Sequence, residues 1–198
     1  MLRDLQLVGE VALPSRSHRV LTPKLLRDRL FKKSRPLVRR LEIFDGDAYS
    51  GDMKILWAAY KAGSFKIKED LTQEEFVEQI EQILKAYQHS WVIDDENKAF
   101  SSGKGPIAMI GANTVGLIVE PRALFFRWAT PRNILRSSVA FLGMIRHSTK
   151  TGIALVRTEK NRMTLPDHLK RYDMLYFVGK ADTNEYLYSV RGRGTDLK

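Results

Sequence analysis

The 198-residue sequence contains no cysteine, only four histidines and no long apolar run. The missing thiols exclude disulfides, thiolate metal sites and cysteine nucleophiles, and the scattered histidines lack the spacing of a metal site. The longest apolar stretches, such as GLIVE and ALFF, are far too short to cross a bilayer. The first twenty residues lack the apolar segment of a secretory signal, so we expect no export through a signal peptide and no membrane partner.

Negative charge is scarce in the first forty residues, and most of the net charge of +10 lies there. Residues 1–40 hold eleven Lys/Arg and three Asp/Glu, a net of +8, whereas residues 41–198 hold twenty-two and twenty. We therefore divide the chain into a basic N-terminal arm (residues 1–36), a domain (residues 37–190) and a polar C-terminal tail (residues 191–198). An acidic partner, either nucleic acid or a protein surface, would be met by the arm.

The arm has two interpretations as a protein element: a solvated basic tail, or an anchor that docks on other protein chains of a larger assembly. It contains one helix start, with Thr22 as N-cap and Pro23 at the first helical position. Nucleic acid is a further possible partner, although only Phe31 accompanies the charge, which is little for base stacking. The expected contact residues are Arg27, Arg29, Phe31, Lys32, Lys33 and Arg35.

From residue 37 onward the hydrophobic pattern is regular and predicts the order β-α-α-β-β-β-α-β-α-β-β. The clearest helix is TQEEFVEQIEQILKAY, where Thr72 and Glu75 form a capping box before an apolar stripe. The first strand is predicted over VRRLEIFD, and two further runs, PIAMIGAN and TVGLIVEPRALFFRWA, predict an antiparallel pair or trio of strands. A parallel pair around residues 124–156 would require a helical crossover. The order predicts an α+β fold with a mixed central sheet flanked by helices.

The stretch WATPRNILRSSVAFL, residues 128–142, contains no glycine although it leaves a strand and opens a helix. Such a position binds phosphate in many α/β proteins, because helix N–H groups point at the ligand and glycine lets the backbone approach it. Here Thr130 is placed as an N-cap and Pro131 has no N–H group. The alternative to a phosphate site is a purely structural, well-capped core helix. Its apolar stripe comprises Ile134, Leu135, Val139, Leu142 and Ile145.

Over residues 37–190 the element order resembles the GNAT (acyl-CoA N-acyltransferase) superfamily, and two segments can be compared residue by residue. The narrower resemblance is to divergent members encoded by tailed bacteriophages, where turns of the WATPRN type occur. The superfamily loop has Gln or Arg, two residues, Gly, one residue, then Gly or Ala. Arg132 matches the first position, Leu135 replaces the first glycine and Ser137 takes the small position. The resemblance implies acetyl-CoA contacts at Arg132, Asn133 and Ser137.

The second segment is KRYDMLYFVG, residues 170–179. Tyr172 matches the tyrosine that protonates the departing thiolate of coenzyme A in many superfamily members; Asp173 and Phe177 also match, and Tyr176 replaces a glycine. The alternative is that Tyr172 is an ordinary core residue with a satisfied hydroxyl. A superfamily enzyme also needs a base for the amine. Glu120 is the best-placed carboxylate, although the following Pro-Arg suggests a turn in which it faces solvent.

Because a fold does not carry its chemistry with it, these segments leave three functional hypotheses. The main one is a GNAT-fold structural component of a larger assembly, a tailed-phage virion, with a degenerate acetyl-CoA loop and no cofactor. The alternative is an acetyl-CoA-dependent N-acetyltransferase that uses Tyr172 as acid, Glu120 as base and Arg132 as phosphate contact. The third is a nucleic-acid-binding protein that acts through its basic arm. The corresponding locations are a virion or the cytoplasm of the host cell.

Overall fold

The computed structural model describes residues 21–68, 70–95, 106–115, 118–148, 153–159, 164–182 and 185–190. The first twenty residues of the predicted arm, the glycine- and serine-rich turn around residue 102 and the predicted C-terminal tail lie outside the described residues. Within the described ranges, no helix is both long enough and apolar enough to cross a membrane.

Five helices and nine strands make up the described chain. The helices are α1 (Pro23–Leu30), α2 (Gly51–Lys61), α3 (Gln73–Lys85), α4 (Pro131–Ser148) and α5 (Thr164–Arg171). The strands are β1 (Leu37–Arg40), β2 (Phe44–Asp45), β3 (Ala48–Tyr49), β4 (His89–Asp94), β5 (Pro106–Val115), β6 (Ile118–Phe125), β7 (Ile153–Glu159), β8 (Tyr176–Asp182) and β9 (Glu185–Val190).

Seven of the strands form one sheet in the order β1-β4-β5-β6-β7-β9-β8. Five of its neighbouring pairs are antiparallel, and the pair β6 and β7 is parallel. Helix α4 connects β6 to β7, as a crossover between parallel strands requires. The prediction of an α+β fold with a mixed central sheet between helices is therefore confirmed.

Two hydrophobic cores cover opposite faces of the sheet, because successive residues of a strand point to opposite sides. On β5, Ala108 and Ile110 belong to the core beneath α4, while Met109 belongs to the core beneath α2 and α3. The first core comprises Leu30, Ile93, Ala108, Ile110, Ala112, Val119, Val139, Phe141, Leu142, Ile145, Leu169, Met174, Leu175, Tyr188 and Val190. The second core comprises Met53, Leu56, Ala59, Tyr60, Leu71, Phe76, Val77, Ile80, Met109 and Phe126.

Local capping chemistry explains where the helices begin. The Thr72 hydroxyl accepts a hydrogen bond from the Glu75 N–H at 3.2 Å and the Glu75 carboxylate accepts one from the Thr72 N–H at 2.8 Å, so the predicted capping box of α3 is present. Ser50 caps α2 in the same manner, accepting from the Met53 N–H. The predicted start of α1 is also confirmed, with Thr22 as its N-cap and Pro23 in its first turn.

The first predicted strand, VRRLEIFD, is wrong in its second half. Strand β1 ends at Arg40, and residues 44–49 form a separate two-stranded hairpin, β2-β3, turning at Gly46 with φ +62°. That backbone conformation favours glycine. The break coincides with an ion-pair network, since Arg39 binds Asp52 of α2 at 2.6 Å and Asp94 of β4 at 2.7 Å. The hydrogen bond to Asp52, followed by the contacts with Asp94, raises the pKa of Arg39 above its ordinary value.

The described part of the predicted arm lies on the domain. Leu30 is buried within the first core, Phe31 packs against that core, and Arg35 stacks over the Phe31 ring at 5.5 Å from its centroid. Residues 22–36 are therefore not a solvated tail. The predicted domain boundary at residue 36 stays a prediction, although packing between α1 and the core continues across it.

Candidate active site

The two parallel strands of the sheet separate after a short paired segment. Strand β6 pairs with β7 at Ile118 with Ile153 and at Val119 with Ala154, and among the described residues the ladder between these two strands extends no further. Because both strands run the same way, the gap opens towards their carboxyl ends. Helix α4 begins six residues after Phe125, at the open end of this fork. Ligands of open α/β sheets bind at such carboxyl ends.

Glu120 lies at the point where the fork begins. It follows Val119, the last residue of β6 to pair with β7, and it is half-buried opposite Asn113 of β5. Since Val119 points into the first core, strand alternation places Glu120 on the opposite face, towards α2 and α3. The predicted turn at Pro121 is wrong, because β6 continues unbroken through it. A proline is tolerated in this interior strand where the neighbouring ladder stops.

The first turn of α4 is closed by a reciprocal pair of side chains. The Asn133 N–H donates to the Thr130 hydroxyl at 3.2 Å, and the Thr130 N–H donates to the Asn133 side-chain oxygen at 3.2 Å. Pro131 has no N–H group, and the Ile134 N–H already makes the first helical bond, to the Thr130 carbonyl at 2.9 Å. Among the described residues, the Arg132 N–H is the donor of this helix start for which no such hydrogen bond is formed.

The three predicted acetyl-CoA contacts are therefore not equivalent. Arg132 is exposed at the open end of the fork, whereas Asn133 is 1% exposed and Ser137 is fully buried. The Asn133 amide donates to Asp95 at 3.1 Å, so this side chain serves the protein interior. The Ser137 hydroxyl has no hydrogen-bond partner among the described residues, and it is buried out of reach of a surface ligand. Of the three, Arg132 alone has an exposed side chain.

Leu135 has a different position from the one its sequence alignment suggests. Its side chain packs against the first core rather than projecting into the space before the helix. The substitution of the superfamily glycine by leucine therefore does not fill the fork. The residues fit a coenzyme A molecule in part: the Arg132 guanidinium is exposed, while the multi-amide cradle for a diphosphate is reduced to one N–H group.

A buried ion pair behind this turn was missed by the sequence reasoning. Arg136 and Asp95 have no side-chain exposure, and the Arg136 Nε lies 3.0 Å from the Asp95 Oδ2. Two sequence signals point to it: the arginine on the apolar stripe of α4, and Asp95, the aspartate that directly follows Asp94 at the end of β4. A charge on a buried helix face needs a buried counter-charge. The position of Arg136 therefore indicates an acidic partner, although the sequence does not show which residue that partner is.

Tyr172 lies in the turn after α5, half-buried against the first core. Its hydroxyl makes no hydrogen bond within the described part of the chain, and its carbonyl accepts one from Arg27. The next residue, Asp173, has φ +60°, a left-handed conformation that directs the chain from α5 into β8. The Tyr176 hydroxyl donates to the Asp173 carboxylate, so the tyrosine that replaces the superfamily glycine stabilises this turn.

The predicted partner-binding residues of the arm divide into two groups. Arg27, Phe31 and Arg35 contact their own domain: Arg27 donates to the Tyr172 carbonyl at 2.6 Å, and the other two stack on each other beside α4. Arg29, Lys32 and Lys33 are exposed, and so is Arg35 although it stacks on Phe31. Binding of a protein or nucleic-acid partner stays a prediction, and the exposed residues are the ones open to it.

Two other features bear on the site. Among the described residues, no group of three or more His, Asp or Glu side chains is arranged to hold a metal ion. A polar pocket of about 350 Å³ lies at the β1-β4 side of the sheet, away from the fork, and is lined by Arg40, Leu41, Gln88, His89, Ser90 and Trp91.

Several solved structures share this fold at low sequence identity. The ribosomal L7/L12 alpha-N-protein acetyltransferase RimL in complex with coenzyme A aligns at a TM-score of 0.55 with 10% identity, over 80% of this chain and 94% of its own. A GNAT-family acetyltransferase from Bacillus anthracis aligns at 0.52 with 13% identity, over 79% and 95%. A domain from Methanocaldococcus jannaschii aligns at 0.52 with 16% identity, over 79% and 97%.

No protein-family model and no curated protein matches the sequence. The structural similarity, at 10% to 16% identity, establishes the fold. The resemblance to phage-encoded members stays a prediction. The strand order and these alignments show that the chain has the fold of the GNAT acetyltransferases.

Proposed function

We propose that the protein is an acetyl-CoA-dependent N-acetyltransferase whose site is the fork between β6 and β7. The observation that carries this proposal is the early separation of the two parallel strands, with the start of α4 at the open end. The fold similarity to acetyltransferases, one of them in complex with coenzyme A, supports it. The sequence alone favours the assembly role, whereas the short β6-β7 ladder that ends before the start of α4 favours N-acetyl transfer.

In this proposal acetyl-CoA supplies an activated acetyl group as a thioester. Glu120, at the base of the fork, accepts a proton from the incoming amine, directly or through a water molecule. Tyr172 donates its phenolic proton to the departing sulfur as the carbon–sulfur bond breaks and the amide bond forms. The exposed Arg132 guanidinium pairs with a phosphate of the cofactor. In the overall reaction, one amine and one thioester are converted to one amide and one thiol.

Isothermal titration of the full chain with coenzyme A tests binding, and thiol release from acetyl-CoA tests turnover. The absence of cysteine gives the thiol assay no background from the protein. The acceptors are a polyamine, a lysine-containing peptide and a peptide with a free N-terminus. We expect saturable binding at micromolar coenzyme A, and turnover that falls at least tenfold in Tyr172→Phe and Glu120→Gln. Absence of binding at millimolar coenzyme A refutes the proposal.

The second candidate is the assembly role predicted from the sequence, a GNAT-fold component of a larger particle such as a phage virion. It is supported by the closed first turn of α4, in which Thr130, Pro131 and Asn133 remove most of the donors of a phosphate cradle. This role predicts no coenzyme A binding together with stable self-association or co-assembly, measured by light scattering after size-exclusion chromatography. A monomer that binds coenzyme A contradicts it.

A further inference from the structure

The N-terminal segment of residues 22–36, which we call the clasp, contacts α4 and the turn after α5, the two elements that carry Arg132 and Tyr172 of the proposed site. It holds the start of α4 through Arg136, which donates to the Leu30 carbonyl and, at 2.7 Å, to the Ser34 carbonyl. It holds the turn after α5 through Arg27, which donates to the Tyr172 carbonyl at 2.6 Å. One short segment thus joins two elements that lie far apart in the sequence.

The contact between the clasp and α4 is buried, and its central residue, Arg136, hydrogen-bonds both to the clasp and to Asp95. Arg136 is fully buried and also donates to the Ser34 hydroxyl at 3.2 Å. Its guanidinium lies over the Phe31 ring at 5.7 Å from the centroid, and Leu30 is buried beside it. If the clasp detached, several N–H donors of the buried Arg136 guanidinium would lose their hydrogen-bond partners. This loss costs more free energy than the loss of a surface contact.

The attachment at Tyr172 is made from two directions. Arg27 of α1 binds the Tyr172 carbonyl, while Arg146 of α4 donates to the Asp173 carbonyl and lies 3.8 Å from the Asp173 carboxylate. Two guanidinium groups from different helices therefore bind consecutive peptide units of one turn. Because the direction of a side chain follows the orientation of its backbone, these contacts set where the Tyr172 ring points.

We propose that Arg27 is a positioning residue for Tyr172, so that the clasp is a working part of the candidate site. The inference rests on the proposed N-acetyltransferase function, in which the Tyr172 hydroxyl donates a proton. Arg27 itself touches no reacting atom and acts through the backbone of Tyr172. A displacement of about 1 Å at a catalytic group lowers the rate by about 100-fold, so a contact that fixes this turn affects turnover without contributing to cofactor binding.

The test compares Arg27→Ala with Arg29→Ala, which removes the same charge from an exposed position on the same helix. With acetyl-CoA and the best amine of the acceptor panel, we expect kcat of Arg27→Ala to fall about tenfold or more while KM for acetyl-CoA changes less than about twofold. Arg29→Ala should match the unmodified protein, and Arg27→Lys, which keeps one donor, should recover part of kcat. Equal kcat values for Arg27→Ala and the unmodified protein overturn the inference.

A double-mutant cycle distinguishes positioning from general damage to the fold. If Arg27 acts through the Tyr172 hydroxyl, Arg27→Ala added to Tyr172→Phe should lower kcat little further, because the group being positioned is already absent. If Arg27→Ala lowers the kcat of Tyr172→Phe as much as it lowers the kcat of the unmodified protein, Arg27 has a structural role and the inference is overturned. Amide hydrogen exchange supplies a readout that needs no turnover: the Asp173 and Met174 amides, bonded to Lys170 and Leu169 carbonyls, should exchange faster in Arg27→Ala than in Arg29→Ala.

These outcomes also separate the inference from the proposed function. An unmodified protein that neither binds coenzyme A nor releases thiol refutes the proposed function, and the positioning role is lost with it. An active protein whose Arg27→Ala variant keeps full kcat and slow exchange at the Tyr172 turn refutes the inference alone. Thermal unfolding of each variant checks that a loss of kcat is measured on folded protein.

Discussion

Arg136 and Asp95 form a bidentate ion pair in the interior of the protein, with 3.0 Å between Nε and Oδ2 and 3.1 Å between Nη2 and Oδ1. The pair joins α4 to the end of β4, and its remaining hydrogen-bonding capacity is taken up by Asn133 and by two carbonyls of the clasp. Burial of such a pair is tolerated because each charge is both neutralised and hydrogen-bonded. It fixes the element that begins at the open end of the fork.

Replacement of Arg136 by methionine should lower the free energy of unfolding by about 3–5 kcal/mol, because it leaves the buried Asp95 carboxylate without its counter-charge. Urea unfolding followed by circular dichroism measures this change. Arg132→Met is the matched control, an exposed arginine in the first turn of the same helix, and should change stability by less than about 0.5 kcal/mol. The double variant Arg136→Met with Asp95→Leu should recover much of the lost free energy of unfolding. If the double variant is as unstable as Arg136→Met alone, the unpaired buried charge is not the cause.

The capping box of α3 should make stability depend on pH in the acidic range. Hydrogen bonds from the Thr72 backbone and then its side chain lower the pKa of Glu75 below its ordinary value. The folded state therefore favours the ionised carboxylate. Its contribution is complete above the ordinary pKa of about 4.3 and is lost as the pH falls through the lower folded-state pKa.

We expect Glu75→Gln to destabilise the protein at pH 7 and the difference from the unmodified chain to shrink on acidification towards pH 3. Thr72→Ala should cost about 1 kcal/mol at pH 7, because α3 loses its N-cap. The control is Glu74→Gln, which alters the neighbouring charge outside the box. Chemical unfolding at a series of pH values gives the comparison, and a Glu75→Gln difference that stays constant down to pH 3 contradicts the assignment.

Gly111 of β5 leaves room for the Tyr87 ring. A Cβ atom at position 111 would lie 2.4 Å from the Tyr87 Cδ2 and 2.5 Å from its Cγ, which is too close for either atom to remain in place. Gly111→Ala should therefore lower the free energy of unfolding by about 1–3 kcal/mol. Gly179→Ala, where no atom lies within 4 Å, is the control. Combining Gly111→Ala with Tyr87→Ala should cost less than the sum of the single changes, and strict additivity would show that the ring is not the obstacle.

The fold was largely predictable because its signals are local. Caps at Thr22 and Thr72, the apolar stripe of α4 and the β-branched runs of β5 and β6 each act within a few residues. The break after Arg40 was not predictable from alternation. It depends on Arg39 binding Asp52 and Asp94, which are distant in sequence, and on the left-handed conformation of Gly46.

The candidate site was predictable in its residue types and less so in their surroundings. The sequence placed Tyr172 at the end of a helix and Arg132 at a helix start, and the structure has Tyr172 directly after α5 and Arg132 in the first turn of α4. The turn expected beside Glu120 was wrong, because β6 continues through Pro121. Pattern alone did not show that Asn133 turns inward to Asp95, that Leu135 joins the core, or that Arg27 reaches the Tyr172 carbonyl. These contacts arise between segments up to 145 residues apart, and a periodic pattern carries no information about such pairings.

Arg132 should account for most of the electrostatic affinity for coenzyme A. The first turn of α4 offers one N–H group to a phosphate, so the exposed guanidinium takes over the role that several backbone amides share in an open helix start. We expect Arg132→Ala to raise the Kd for coenzyme A at least tenfold, which corresponds to about 1.4 kcal/mol, and to flatten the salt dependence of binding. Lys85→Ala, which removes one exposed positive charge at the far end of α3, should leave Kd within about twofold. Equal losses in both variants would indicate attraction to the net charge of the protein, and an unchanged Kd in Arg132→Ala would place the phosphates elsewhere in the fork.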